Sequence, residues 1–407
     1  MTHPNAILLV LSALLLVACE PKAGPKPSKE TITLTEAPTD FDFAAASKAR
    51  YFEALRGYET ADVRSGKKGS YAQTLSTLGR ADIVANDNLL RDPRQSCGDA
   101  LTSARPLADW LPDAVKNHSL VIVNEDHRRP RDRAFVQDVM ETLIPLGFTH
   151  YAAETFSPFA GSSKDPFAKY GDGHYAEDPI FGRLLTYAKS EGLTLVPYEQ
   201  RFEQFAPEGS DRDIQIASRE TAQTNNLLSA VLTDNPTTKM IIHVGHSHVA
   251  ERPIPNHSGH GETSWMAHRL KTISGIDPLT ISQTACGTMA AEAVVLTRQE
   301  NTKQNNVTLF TDIAIGHPPQ SFSKGRPNWR RAAGDIDVNI PQDWLGQDDP
   351  IIVEARPVAL PENAIPMDRV AILPGDTDVT LLLPPGSYTI EAYTESQSLG
   401  EITRVVK

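Results

Sequence analysis

Two apolar runs along this chain end abruptly in polar pairs. Leu120-Val-Ile-Val123 leads into Asn124-Glu-Asp-His127, and Met240-Ile-Ile-His-Val244 leads into Gly245-His-Ser-His248. Runs of this length without alternation predict strands buried on both faces. Residues two apart in a strand share a face, which pairs Glu125 with His127 and His246 with His248. His243, inside the second run, is expected to be a hydrogen-bonded core residue.

Between and around these runs the period alternates between strand and helix. Arg131 to Leu146 carries Phe135, Val136, Val139, Met140, Leu143 and Ile144 on one stripe and stops at Gly147, an amphipathic helix. Thr149 to Glu154 predicts a short strand ending in a second carboxylate. Asp178-Pro179 stands as N-cap and first residue of a helix running to Ser190. Leu193 to Glu199 predicts a third strand, Arg212 to Leu232 a helix with Ile214, Ala217, Leu228 and Val231 inward, and Glu262 to Ser274 a helix with Trp265, Met266, Leu270 and Ile273 inward. Pro278 to Gln283 and Val307 to Ile315 add strands. This alternation predicts an α/β fold, a mostly parallel sheet with helices on both faces. Ligands of such sheets bind beyond the carboxyl ends of the strands, where every polar pair lies.

The flanks differ. Residues 46–117 hold helical stretches (Ala46 to Arg56, Tyr71 to Leu78, Cys97 to Trp110) and predict a helical N-terminal segment ahead of the site-bearing part, 118–334. Residues 335–407 predict a small β-rich C-terminal segment, with Val379 to Tyr393 a hairpin turning at Pro-Pro-Gly-Ser. The long polar loop from Ser157 to Glu177 predicts a lid or substrate-binding segment, with His174 near its centre.

The net charge of -12 over 407 residues argues against nucleic acid or an anionic lipid surface as the main partner. Ile7 to Val17 is too short to span a bilayer but suits a signal-peptide core. It ends in Leu16-Val17-Ala18-Cys19, which resembles the lipobox of bacterial lipoproteins. That resemblance implies removal of residues 1–18, lipidation of Cys19, and a Pro-rich tether over 19–45. Glu20 at the next position favours the outer membrane, facing the periplasm. Cys97 and Cys286 then remain as either a disulfide or two buried thiols.

The candidate chemistry is acid–base. His127 suits a general base, Glu125 and Glu154 suit carboxylates that orient it or hold water, and Arg131 suits an oxyanion stabiliser. His246 and His248 suit proton donors or electrophiles, and His174, Tyr198 and Arg133 suit contacts to a small-molecule substrate, anionic or neutral. The same Glu125, His127, His246 and His248 also have the composition of a Zn, Mn or Fe site. The plain alternatives are an ion pair at a strand end for Glu125 and His127, satisfied histidines for His246 and His248, and structural roles for Tyr198, Glu199 and Arg219.

Asn124-Glu125-Asp126-His127, Glu154 at the second strand end, and Gly245-His246-Ser247-His248 together resemble the superfamily of the erythromycin esterases, the Tiki and TraB proteins and the ChaN-like haem-binding lipoproteins. The acid–histidine spacing is nearer the ChaN-like branch. The resemblance implies a hydrolase of ester or amide bonds, metal-dependent in the Tiki branch only, or a non-catalytic haem- or iron-binding lipoprotein.

Overall fold

The computed structural model describes residues 41–62, 66–87, 89, 96–97, 106–161, 164–256, 258–289, 293–297 and 310–407. The leader, Cys19 and the tether's first part lie outside the described residues. Among those described, no helix is long and apolar enough to cross a membrane.

The chain opens with helices α1 (Phe43–Gly57), α2 (Gly66–Thr77), α3 (Ala81–Asn86) and α4 (Leu107–Ala114). Helix α4 begins ten residues later than the Cys97 start expected for it, because Pro106 precedes it as N-cap; residues 98–105 lie outside the described set. The alternating part follows as β1 (Leu120–Glu125), α5 (Pro130–Leu143), β2 (His150–Ala153), α6 (Pro179–Ser190), β3 (Thr194–Pro197), α7 (Arg212–Leu227) and β4 (Met240–Gly245). Two-residue strands β5 (Ile254–Pro255) and β6 (Glu262–Thr263) pair with each other, so α8 (Met266–Ser274) starts later than expected. Strands β7 (Leu279–Ser282), β8 (Val294–Thr297) and β9 (Ile313–Gly316) complete the main sheet.

That sheet has the order β3-β2-β4-β1-β7-β9-β8, parallel except for the β8–β9 pair. Strand β4 lies between β1 and β2, pairing Val123 and Ala153 with the same His243. The carboxyl ends of β1, β2 and β4 therefore stand side by side. The fold is α/β with helices on both faces. Val121, Val123, Tyr151 and Ile241 pack against Val136, Met140, Phe181 and Leu184 of α5 and α6 on one face. Leu120, Ile122, Ala152 and Ile242 pack against Leu227 of α7 and Met266 and Leu270 of α8 on the other. Ala217 and Leu228 of the α7 segment and Met266 and Leu270 of α8 face inward as expected, whereas Ile214 is 44% and Ile273 57% exposed.

The remaining elements are β10 (Phe322–Ser323), β11 (Arg326–Pro327), α9 (Asn328–Ala332), β12 (Ile336–Asn339), β13 (Ile351–Pro357), β14 (Asp368–Ile372), β15 (Thr380–Leu383), β16 (Gly386–Tyr393) and β17 (Ser398–Val406). The expected 379–393 hairpin does not form. Strand β15 pairs with β12, whereas β16 pairs with β13 and β17. Pro384 and Pro385, lacking N–H groups, end β15 and carry the chain to the second sheet. Leu381, Leu383 and Ile390 still share one core with Val353, Val370 and Trp344, so the two small sheets close over common apolar side chains.

The long loop is clamped on both sides rather than free. Glu177 accepts from Arg50 at 2.7 Å and from Tyr51 at 2.9 Å, while Arg369 donates to the Glu177 carbonyl at 2.9 Å and to the Tyr170 hydroxyl at 2.6 Å. Helix α1 and the C-terminal sheet thus hold the segment that faces the strand ends.

Cys97 and Cys286 form a disulfide across 189 positions, with the Ser96–Gly287 bridge beside it. In the chain-entropy view a closure of this length restricts the unfolded chain by about 5 kcal/mol. Reduction, or replacement of both cysteines by alanine, is expected to lower the calorimetric melting midpoint; equal midpoints with and without reductant would show that the bond contributes nothing.

Candidate functional site

Glu125, the last residue of β1, is fully buried. Its Oε2 receives Arg133 Nε at 3.0 Å and its Oε1 receives Arg133 Nη2 at 3.0 Å, one turn into α5. His243 Nε2 lies 2.9 Å from Oε2, and Tyr151 hydroxyl meets His243 Nδ1 at 3.0 Å. Burial alone would raise the Glu125 carboxyl, but Arg133, His243 and His127 outweigh it and hold the group well below the usual carboxylate range. His127 Nδ1 sits 2.6 Å from Oε1. A carboxylate held ionised there fixes the imidazole with its proton on Nδ1 and its lone pair on Nε2. The Tyr175 ring covers His127 at 4.6 Å, and the Arg133 guanidinium also donates to the His127 carbonyl at 2.8 Å.

His127 Nε2 faces Glu154 Oε2 at 4.0 Å across Gly245. A Cβ at Gly245 would come within 2.5 Å of that nitrogen and 2.8 Å of that oxygen, so glycine is what lets β4 pass beneath the pair. Glu154 accepts from the Gly245 amide and from Arg219. Burial opposes its charge, but Arg219, His248 and His127 hold its carboxyl well below the usual range. Arg219 also grips Glu199, with Nε 3.0 Å from Oε1. His248 Nδ1 lies 3.0 Å from Glu220, its Nε2 is 3.2 Å from Arg219 Nη1, and the Trp265 ring stands 5.2 Å away. Burial would lower His248, but Glu220 and Glu154 outweigh it and raise its pKa.

His246 takes a positive φ of 38°. Asn124 Nδ2 donates to its carbonyl at 2.7 Å, and its exposed ring stands 5.3 Å from that of His127. Glu125, His127, Glu154, His246 and His248 therefore cluster at the carboxyl ends of β1, β2 and β4. His174 borders it, its Nδ1 buried without a hydrogen-bond partner; burial, with Arg50 nearby, pushes its pKa down to about 4.

Three expected site residues stand elsewhere. Arg131 directs Nη1 to the Pro318 carbonyl at 2.5 Å, so it is not placed as an oxyanion stabiliser. Arg133 is fully buried between Glu125 and Asp178, with Nη1 3.1 Å from Asp178 Oδ2; it holds the acid and cannot reach a substrate. Tyr198 is a core residue whose hydroxyl donates to the His243 carbonyl at 2.9 Å, which leaves it no substrate or haem contact.

The metal set fits poorly. Among the described residues no group of three or more His, Cys, Asp or Glu is arranged to hold an ion. Both Glu125 oxygens are occupied by guanidinium and imidazole nitrogens, and His248 faces Glu220 with one nitrogen and Arg219 with the other. A cation beside Arg219 would be repelled.

Arg219, Glu220, Tyr175, Asp178 and His243 were not assigned site roles from sequence. The signal for Glu220 was present: Ile216, Ala217, Glu220, Gln223, Thr224 and Leu227 form the buried stripe of α7, with polar residues at apolar spacing.

No family model matches this chain and no curated protein matches it. Among solved structures, it is similar to one described as bacterial protein toxins (15% identity, TM-score 0.33, 60% of this chain and 58% of that one). It is also similar to RRSP, a MARTX toxin effector domain from Vibrio vulnificus CMCP6 (17% identity, TM-score 0.31, 57% and 54%). A third is the type III effector HopBA1 (15% identity, TM-score 0.33, 56% and 97%). The chain thus spans little more than half the length of the first two.

Asp132 supplies a pH test of the β1–α5 turn. Its Oδ2 accepts the Asp126 amide at 3.0 Å, and burial pushes its carboxyl up to about 7. Between about 4, the unfolded value, and about 7, the folded protein keeps a proton that the unfolded chain releases, so this group's contribution to stability falls as pH rises. Asp132→Asn is expected to gain on wild type in urea midpoint over that window; parallel pH curves would exclude the effect.

Proposed function

We propose that the chain is a hydrolase of ester or amide bonds, with His127 as general base. The observation that supports this most directly is the clamp on that imidazole: Nδ1 is 2.6 Å from a fully buried Glu125 that Arg133 holds ionised, and Nε2 is turned toward Glu154. Water between Nε2 and Glu154 would lose a proton to the imidazole while attacking the carbonyl carbon. Arg219, on the far side of Glu154, fixes that carboxylate. The protonated His127 would return that proton to the leaving group; His246 stands beside it at the rim, and His248, between Glu220 and Arg219, holds the wall. The motif resemblance to the erythromycin esterase, Tiki, TraB and ChaN-like superfamily supports the same reading. Of the non-catalytic haem or iron alternative, no geometry in the cluster is in favour.

The assay is hydrolysis of 4-nitrophenyl acetate. His127→Ala and Glu125→Gln are each expected to lower kcat by about 10²–10⁴, with His127→Ala retaining the wild-type circular dichroism spectrum. Wild-type rates in both variants would remove the proposal.

The address proposed is the bacterial envelope, through lipid on Cys19. The Leu16-Val-Ala-Cys19 pattern and a disulfide suited to an oxidising compartment support it. Cys19→Ser is expected to abolish incorporation of labelled palmitate and shift the protein from membrane to soluble fractions; labelling that persists in the variant would refute the anchor.

A further inference from the structure

Beside the His127 cluster, toward β7, lies a concavity of about 330 Å³. It opens at the carboxyl ends of β1, β4 and β7, and His246 is on its wall. His246 is thus shared: one side of its ring faces His127 at 5.3 Å, and the residue also lines this space. Its positive φ places it there, a conformation that is strained for a non-glycine residue and persists only where neighbours impose it. Asn124 imposes it, donating to the His246 carbonyl while its own Oδ1 accepts the Gln283 amide at 2.7 Å.

The wall is rich in donors and in positive charge. Arg128 and Arg129 line it, against the single carboxylate of Asp126, which Arg128 grips at 2.9 and 2.8 Å. Ser282 and Thr284 also line it; the Thr284 hydroxyl oxygen accepts from Asn124 Nδ2 at 2.8 Å and the Ser282 hydroxyl oxygen accepts the Thr284 amide at 3.3 Å. A hydroxyl used as an acceptor keeps its own proton to donate. Two guanidinium groups and two donating hydroxyls are the complement of an acceptor-rich anion.

We propose that this concavity is the specificity subsite of the enzyme and takes an anionic group of the substrate, a carboxylate or a phosphate, while His246 stands between that group and the scissile bond. The anion site stands on the cavity; its orientation toward the scissile bond rests on the hydrolase reading above.

Two measurements separate the two. Calorimetric titration of the wild-type protein at low salt, with succinate and separately with inorganic phosphate, reads the anion site without turnover. Binding of either ligand that weakens about tenfold or more in Arg128→Gln, and severalfold in the near-isosteric Thr284→Val, is expected; the remote exposed Arg404→Gln is the control and keeps wild-type affinity. The stronger of the two ligands identifies the anion. In the second measurement, kcat/KM for the mono-4-nitrophenyl ester of succinate is expected to exceed that for 4-nitrophenyl acetate by about tenfold, with that ratio falling to about one in Thr284→Val and kept in Arg404→Gln. Anion binding without any hydrolysis would uphold the subsite and defeat the hydrolase reading. Hydrolysis with neither binding nor preference would overturn the subsite and leave the hydrolase standing. Equal binding in Arg128→Gln, Thr284→Val and wild type would also overturn it.

Discussion

A carboxylate stripped of water costs several kcal/mol unless neighbours replace what it lost, and Glu125 is in that position. Its replacements come from separate parts of the chain: Arg133 from the first turns of α5, His243 from the middle of β4, and His127 from the turn between β1 and α5. Each partner is fixed in turn, Arg133 by Asp178 at the start of α6 and His243 by Tyr151 on β2. One buried charge therefore ties four elements of the sheet's carboxyl edge into a single arrangement. Loss of Arg133 would leave that charge uncompensated, which is why a residue that cannot touch a substrate matters as much to the cluster as one that does.

The second carboxylate is held by a different logic. Glu154 is reached from α7, where Arg219 and Glu220 are consecutive and therefore diverge around the helix. Arg219 turns to Glu154 and Glu199, and Glu220 turns to His248 and the Met266 amide at the start of α8. A helix whose buried face carries glutamate, glutamine, threonine and asparagine gives up apolar burial, and the return is a set of oriented charges at the strand ends.

The architecture was legible where periodicity was strong. The uninterrupted runs at Leu120 and Met240 read as strands buried on both faces, and both are central; that Met240–Gly245 inserts between the two earlier strands is visible only in the structure. Convergence of Glu125, Glu154 and His248 was legible too, because parallel strands present their carboxyl ends together. Direction along a helix was harder. Arg131 and Arg133 both lie in the first turn of α5, yet a two-residue step rotates the side chain by about 200°, and only contacts with Asp178 or Pro318 decide which one meets Glu125. On α7 hydrophobicity located Ala217 and Leu228 correctly but also Ile214, which is exposed, and passed over the buried Glu220, Gln223, Thr224 and Asn226. The hairpin at 379–393 failed for a related reason: its turn residues were right for reversing the chain, but pairing partners come from strands far away in sequence.

His246 and His248 show how a shared motif divides its labour. Both follow Gly245, and strand alternation would have pointed them the same way. The chain leaves the strand at Gly245, however, and a short 3-10 turn begins with His246 in the left-handed region. That one backbone departure sends His248 inward to Glu220 and leaves His246 at the rim, between His127 and the neighbouring concavity. Gly245 must itself be small for β4 to pass under His127 and Glu154, so the break falls immediately after a position that cannot carry a side chain. The division into a buried, charge-held imidazole and an exposed one thus follows from where the strand is forced to end.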